Sequence, residues 1–403
     1  MKILIVSQYC WPEPDFRIIK IAKKFVENGY NVQIVTTFPN YPIGKLYPNY
    51  DKSLIKKEVV NGVEILRYGI YYSHNKNAIL RSLTYFTFLL NGILIAPWFV
   101  KKPDVIFSYT PPITTGLLSI FYKYLFRAKL VTDVQDIWPD SILTSGFVKS
   151  NKSLFYRIPN FFSHLVYSLS DKLVCITFGY KKLLISRGYN DEKLKVIYNW
   201  ANEDGSFSNF DHRYENIFDG DSIVFMYTGN MGKGQDLGIF IEAISKIEST
   251  KVFKFVFIGE GTEKEKLILR CRSLGLNNVY FIPRQNQDII ESFTIRANVL
   301  IATLQNHYLS DIIVPSKIQS YLKIGKPILY AGQGEAAEII KRANCGIVVN
   351  RELEEIVRSY YDFLGMSKDD FDIFEANAKR YYFTNLCFDV GFPKLKDVIT
   401  GIE

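Results

Sequence analysis

The chain has 403 residues, enough for two to four domains at about 100 to 200 residues each, and its 22% charged and 48% hydrophobic residues argue against wholesale disorder. Lys and Arg number 49 against 41 Asp and Glu, a formal net charge of +8. The five Cys (Cys10, Cys175, Cys271, Cys345, Cys387) form no C-x-x-C pair and the four His (His74, His164, His212, His307) lie far apart. That spacing argues against a disulfide framework, a zinc ribbon and an H-E-x-x-H site, so metal-free chemistry in a reducing compartment is expected.

Met1-Lys2 leads directly into the apolar run Ile3 to Val6 and then into polar Ser7-Gln8. The run is too short for a secretory signal, and export is not expected. It reads instead as a buried strand, followed by a helix with Ile18, Ile21, Ala22, Phe25 and Val26 on one face. Gly29 stops that helix before a second strand, 31–36, and further strands are predicted at 63–68, 104–109, 130–134, 172–176 and 194–197.

Two segments of this half suit a lipid surface. Leu83 to Val100 (LTYFTFLLNGILIAPWFV) is flanked by Arg81 and by Lys101-Lys102, and sits at the lower length limit for a bilayer span. Asn91, Gly92 and Pro97 interrupt it and a strand follows at once, so a buried or membrane-surface helix is predicted. Lys152 to Leu169 mixes Lys152, Arg157 and His164 with aromatics at helical spacing. No RNA-binding signature accompanies it, and the composition suits peripheral contact at headgroup level or simply a packed core.

Residues 202–221 are polar, acidic and rich in turn formers, and read as an interdomain linker. A second series follows, with strands at 222–227, 253–258, 279–282, 299–302, 327–330 and 346–349. Its first helix carries Leu237, Phe240, Ile241 and Ile244 at i, i+3, i+4, i+7. Strand and helix patterns alternating over nearly the whole chain predict α/β architecture, two Rossmann-like doubly wound domains with ligand in the cleft between them.

Three clusters carry candidate chemistry. Gly229-Asn230-Met231-Gly232-Lys233-Gly234-Gln235 joins a strand to a helix, where backbone amides can meet a phosphate, but its G-x-x-G-x-G spacing is neither the dinucleotide fingerprint nor a P-loop. Gly259-Glu260-Gly261 is a second such loop. Val314 to Leu322 predicts a helix that starts at Pro315 and Ser316 and stops at Gly325 and Pro327. Lys317 in its first turn opposes the helix dipole, which makes sense if an anion sits nearby, and Arg284 after the 279–282 strand could join it. Asp133, Asp136 and Asp140 cluster at the end of the 130–134 strand, with Asp136 the candidate acid/base group. Glu335 and Glu338 open a further helix, where the dipole favours acids in any case.

Taken in order, MKILIVSQYCWPEP, TTFPNYPIGKLYPNY, VQDIWPDS, VIYNWANEDGSF, YTGNMGKGQDLGIFIEA and VPSKIQSYLKIGKPILYAGQGEAAEII resemble family-4 retaining glycosyltransferases of GT-B fold. The similarity covers almost the entire chain, and is greatest to the branch of N-acetyl-L-fucosamine transferases of O-antigen and capsule assembly. It implies an acceptor domain 1–200 completed by a C-terminal helix 380–403, a linker 201–221 and a sugar-nucleotide domain 222–379, the two domains facing across a cleft. It implies metal-free transfer of an N-acetylated deoxyhexose such as FucNAc from a UDP-sugar to a polyprenyl-diphosphate-linked saccharide. The enzyme would be peripheral at the cytoplasmic face of the inner membrane, with no cofactor and no nucleic-acid partner. Gly229, Asn230, Lys233, Gln235, Arg284, Ser316, Lys317 and Ser320 would hold the nucleotide and its diphosphate, Lys233 restoring charge where relatives have Arg and Lys at Asn230 and Gln235. Glu335 and Glu338 would contact the donor sugar, and Asp136 with Glu335 would be catalytic.

The pattern departs from the family at two points. The second acid of its Glu-x7-Glu is Ser320 and the position eight before it is Ile312, while Gln135 stands where many relatives have His. Two other readings follow from the sequence, a GT-B epimerase or hydrolase of UDP-N-acetyl sugars and a non-catalytic transferase subunit. Product without a lipid acceptor would mark the first, and a stable sugar-nucleotide complex without turnover the second.

Overall fold

In the computed structural model the described residues are 1–73, 78–141, 153–204, 210–305 and 307–402. The chain divides into two units, Met1–Ile197 with Phe392–Glu403, and Tyr198–Gly391.

The first unit is built on β1 (Lys2–Val6), α1 (Arg17–Glu27), β2 (Asn31–Thr37), β3 (Ile55–Val60), β4 (Val63–Tyr68), α2 (Ala78–Leu94), β5 (Val105–Thr110), α3 (Ile113–Phe126), β6 (Lys129–Val134), α4 (Leu154–Leu169), β7 (Lys172–Cys175), α5 (Phe178–Ser186) and β8 (Leu194–Val196). Among the described residues its sheet has eight strands in the order β3-β4-β2-β1-β5-β6-β7-β8. β5 is buried at every position, as a parallel strand covered on both faces must be. Only β3 runs antiparallel to its neighbour, β4. This edge strand exposes Lys56, Lys57 and Val59 and half-buries Ile55, Glu58 and Val60, too polar to be predicted as a strand from apolar runs. The strand order reverses between β1 and β5, so the carboxyl ends of these two strands open a crevice.

The second unit contains α6 (Glu215–Phe218), β9 (Ile223–Thr228), α7 (Gly238–Ile244), β10 (Phe253–Ile258), α8 (Lys264–Ser273), β11 (Val279–Ile282), α9 (Gln287–Thr294), β12 (Val299–Thr303), α10 (Ser316–Ile324), β13 (Ile328–Ala331), α11 (Gly334–Ala343), β14 (Gly346–Val349), α12 (Leu353–Gly365) and α13 (Lys368–Asn385). α14 (Phe388–Thr400) then carries the chain back to the first unit. The six strands are parallel in the order β11-β10-β9-β12-β13-β14. This is the doubly wound 3-2-1-4-5-6 order, with its reversal between β9 and β12.

The structure corrects two expected boundaries. The segment read as a linker packs into the second unit: Ile217 is buried, and Phe210 and Phe218 set their rings 4.8 and 5.8–6.0 Å from those of Phe293 and each other. Three aromatic contacts on one buried Phe, from Phe210, Tyr214 and Phe218, need no helical period, so periodicity missed them; residues 205–209 of that segment, and Lys152 of the aromatic-basic stretch, lie outside the described residues. The C-terminal return starts later than residue 380, because Ala378 and Tyr382 of α13 are buried in the second unit's core and the first unit resumes only at Phe392. There the Phe392 ring meets Phe25 of α1 at 4.9 Å. α2 ends at Leu94, short of Val100, and among the described residues no helix is long and apolar enough to cross a membrane.

Phe293→Ala should cost about 3–5 kcal/mol, the usual range for emptying a buried aromatic site. Urea unfolding followed by nucleotide protection would check it, and a loss below about 1 kcal/mol would mean that 210–218 does not belong to this core.

Candidate active site

The carboxyl ends of β9, β10, β11 and β12 surround a cavity of about 870 Å³ in the second unit. Its floor owes its shape to two loops that cross backbone to backbone. The Gly229 amide donates to Ile258 O at 2.9 Å, and Met231 N donates to Glu260 O at 2.8 Å. A Cβ on Gly259 would sit 1.9 Å from Gly229 O, and the residue has φ +148°, so only glycine fits. The glycines are thus required first by loop crossing, and the surface they leave exposed lines the cavity.

Opposite them α10 presents its uncapped N-terminus, with Pro315, Ser316, Lys317 and Ser320 on the wall. Tyr321 fixes the helix in place, its hydroxyl 3.0 Å from Thr228 Oγ1 and accepting from Thr228 N at 3.3 Å. Lys317 Nζ lies 3.9 Å from the centre of the Tyr227 ring, a cation–π contact, and a Cβ on Gly229 would be 3.6 Å from it. Tyr227 is held in turn by donating to Asn230 O at 2.7 Å. Among the described residues no carboxylate pairs with Lys317, and burial pushes its amine down to about 7. An amine, a helix N-terminus and Arg284 thus converge on one space, an arrangement that suits a diphosphate.

Of the residues singled out in sequence, Gly229, Asn230, Gln235, Arg284, Ser316, Lys317 and Ser320 line this cavity together. Three others do not. Lys233 lines a separate depression of about 420 Å³ with Lys266 and Arg270, because the loop turns outward after Gly232, so it does not restore charge beside Lys317. Glu335 accepts from the Tyr198 hydroxyl, and its amide donates to Asp311 O at 2.8 Å, which occupies the start of α11 with protein contacts. Glu338 faces Lys341 at 3.5 Å in a surface depression with Asn350 and Glu355. Ser320 donates back to Ser316 O at 3.3 Å. Sequence reading missed the tyrosines that position Lys317 and α10, and also Glu291, a buried cavity residue whose Oε1 receives Lys323 Nζ at 2.6 Å while Oε2 has no partner. Only their spacing to partners distant in sequence distinguishes such residues, and no local motif carries that.

In the first unit the crevice at β1 and β5 holds a network of carboxylates around one arginine. Arg17 Nε donates to Asp15 at 3.2 Å and Nη1 donates to Gln135 Oε1 at 3.2 Å, while the Tyr109 hydroxyl donates to Asp15 at 3.0 Å. Gln135 Nε2 donates to Asp133 at 2.9 Å, so the glutamine is locked from both ends. Burial raises Asp133 to about 7, against the opposing pull of Gln135 and Arg17. Asp136, half-buried two residues into the turn after β6, is raised to about 6 by burial, with Arg17 holding it down. A carboxylate so poised can exchange a proton near neutral pH. Asp140 is instead paired with Arg187 at 2.9 Å. Glu13, also missed in sequence, accepts from the amides of Cys10, Asn40 and Tyr41 at 2.8–2.9 Å and so ties the β1–α1 turn to the end of β2.

Two Rossmann-like units with these strand orders define the GT-B glycosyltransferase fold. Residues 208–379, the stretch that holds the cavity, match the family described as Glycosyl transferases group 1. The chain is 24% identical over 343 residues to the putative colanic acid biosynthesis glycosyl transferase WcaI of Escherichia coli (strain K12), covering 81% of this chain and 82% of that one. It is 28% identical over 248 residues to the probable glycosyltransferase WbjE of Pseudomonas aeruginosa, covering 59% of this chain and 60% of the other. Among solved structures, Anabaena Alr3699/HepE in complex with UDP superposes over 100% of both chains with a TM-score of 0.70 at 14% identity.

A lysine whose folded pKa lies below its unfolded value of about 10.5 destabilises the protein most below the folded value, and the penalty disappears above the unfolded one. Lys317→Met should therefore raise the melting temperature of the ligand-free protein, by a margin that grows as pH falls from about 10 to 7. Differential scanning calorimetry across that range checks it, and a margin independent of pH would contradict the assigned burial of the charge.

Proposed function

We propose that the chain is a retaining, metal-independent glycosyltransferase that moves a sugar from a UDP-sugar to a lipid-linked saccharide in surface polysaccharide assembly, at the cytoplasmic face of the inner membrane. The observation that carries this reading is the Lys317 amine at the N-terminus of α10, over the Tyr227 ring and with no carboxylate partner among the described residues, in a cavity ringed by the carboxyl ends of four strands. The similarity to WcaI, a putative glycosyl transferase of colanic acid biosynthesis, and to WbjE, a probable glycosyltransferase, and the UDP bound by HepE support it. FucNAc as the sugar rests on the resemblance of the motifs.

In this reading the bond between the anomeric carbon and the diphosphate oxygen breaks as the acceptor oxygen bonds to the same carbon on the face the diphosphate leaves, which retains the configuration. Lys317, Arg284 and the α10 amides take up the charge that develops on the leaving UDP, and the preorganised site makes those contacts worth more than they would be in water. Asp136 orients the acceptor hydroxyl and accepts its proton. The nucleotide restores the proton on Lys317, since a nearby anion favours the charged amine. Glu335 bonds to Tyr198 and Glu338 faces Lys341, so a donor-sugar contact by either would require it to exchange that partner.

Thermal unfolding with UDP, GDP and ADP tests the nucleotide. Saturating UDP at about 100 times its Kd should stabilise by roughly 2.7 kcal/mol, Lys317→Ala should remove most of that gain, and no shift with any nucleotide would sink the reading. Asp136→Asn should lower turnover by about 10²- to 10⁴-fold while keeping the UDP shift. Because the base works ionised, wild-type turnover should fall as pH drops through about 6. Undiminished turnover in Asp136→Asn would remove Asp136 from the reaction.

A further inference from the structure

We infer that the outer face of α2, continued by Trp98 and the end of α3, is a docking surface for an anionic lipid bilayer. The inference deepens the membrane placement proposed above, and its argument rests on the surface itself and not on the reaction.

α2 is apolar on two opposite sides. Thr84, Phe88 and Gly92 form its inner row. The Tyr68 ring stacks on Phe88 at 5.6 Å, and at Gly92 a Cβ would lie 2.6 Å from the Leu118 side chain of α3. The helix is already fully engaged on that side. Its outer row, Leu83, Phe86, Leu90 and Leu94, is 39–60% exposed. These positions follow helical spacing, so they form one continuous stripe. From Leu83 to Val100 there is no Asp, Glu, Lys or Arg, whereas the water-facing side of a surface helix is ordinarily charged. A patch of this kind marks a contact surface.

The stripe does not end with the helix. Trp98 follows it at 84% exposure, the most exposed of the large apolar side chains. The Tyr122 hydroxyl donates to Gly92 O at 2.8 Å, which brings the end of α3 beside the end of α2, and there Tyr124 and Leu125 are also exposed. α4, packed against α3, adds Leu154, Ile158 and Phe161 at helical spacing, all more than half exposed.

The charge around this face selects the occupant. Lys57 sits over the Phe99 ring at 5.2 Å, and Lys101, Lys102, Arg127 and Lys129 are exposed at the ends of α2 and α3. Lys101 also meets Glu64. An apolar stripe with an exposed Trp at one end and a basic rim matches the headgroup boundary of an anionic leaflet, where rings sit at the interface and each nearby cation adds attraction. A self-associating face would bring these cations against each other unless the partner supplied acids, and the outer stripe carries none. The helix lies along the surface, since it is too short to cross.

Vesicle flotation of the full chain tests the assignment, using phosphatidylcholine vesicles with and without phosphatidylglycerol. Wild type should float with the phosphatidylglycerol vesicles, bind those of phosphatidylcholine alone at least tenfold more weakly, and lose binding as salt is raised. Phe86→Gln combined with Leu94→Gln should lower binding to anionic vesicles at least tenfold while keeping the thermal midpoint and the UDP shift. Lys102→Glu combined with Arg127→Glu should do the same and leave the stripe intact. Equal binding to both vesicle types, unchanged binding by the variants, or a wild-type dimer that the Phe86/Leu94 variant converts to monomer would overturn the proposal, the last by assigning the stripe to a second copy. Failure of UDP to stabilise the protein would count against the reaction and leave this surface untouched.

Discussion

The nucleotide-sized cavity exists because two backbones cross with no side chain between them. Gly229 and Gly259 bring the loops after β9 and β10 into contact at their peptide groups, and the 1.9 Å that a Cβ would leave at Gly259 shows there is no slack. Everything else in the site is placed against this crossing. Tyr227, one turn of strand before Gly229, can then present its ring to Lys317, and Tyr321 can bond to Thr228 and so aim the N-terminus of α10 at the same space. The hydrogen-bonded strands of a parallel sheet accept a range of apolar side chains of similar volume. The loops at their ends are not.

The two crevices store opposite kinds of electrostatic cost. In the second unit a cation is desolvated with an aromatic ring as its partner, and in the first a set of carboxylates shares one guanidinium. Neither arrangement is what folding alone would select, because a desolvated charge without a direct opposite charge costs stability that a methionine or a paired acid would not. Structural ion pairs in the same chain look different: Lys323 and Glu291 meet at 2.6 Å with both side chains buried, and Arg187 meets Asp140 at 2.9 Å. The contrast between groups that meet an opposite charge directly and Lys317, Asp133 and Asp136, which do not, marks the candidate site.

Most strands of both units were legible as short apolar runs, since strands buried on both faces leave no other pattern. The Pro-to-Gly frame of α10 and the loop after β9 were legible for the same reason, local rules acting on local residues. What the sequence hid is non-local. β3 is a polar edge strand recognisable only by its pairing with β4, and the aromatic packing of Phe210 and Phe218 depends on Phe293, some 75 to 83 positions away. Lys233 and Glu335 have the right residue type at the right loop, but the direction in which each loop turns sends one outward and gives the other to Tyr198. Spacing along a chain reports neighbours on one element, and site membership is decided by where elements converge.

In the proposed reaction the protonation of Lys317 and that of Asp136 pull activity in opposite directions along the pH axis. Lys317 offers a charged amine freely only below about 7, and above it the nucleotide must drive proton uptake, so affinity weakens by up to tenfold per pH unit until the pKa of the complex is reached. Asp136 is ionised only above about 6. In the proposed reaction a group that needs its proton and a group that must have lost it coexist in the right states only in the interval between, and a diphosphate bound beside Lys317 would widen that interval upward. Removing the charge at either place would therefore shift a different flank of the pH profile: an amide at Asp136 abolishes the acid limb, whereas a neutral side chain at Lys317 flattens the alkaline fall in nucleotide affinity. Two independent flanks, each assigned to one unit, are what a division of labour between nucleotide holding and proton transfer requires.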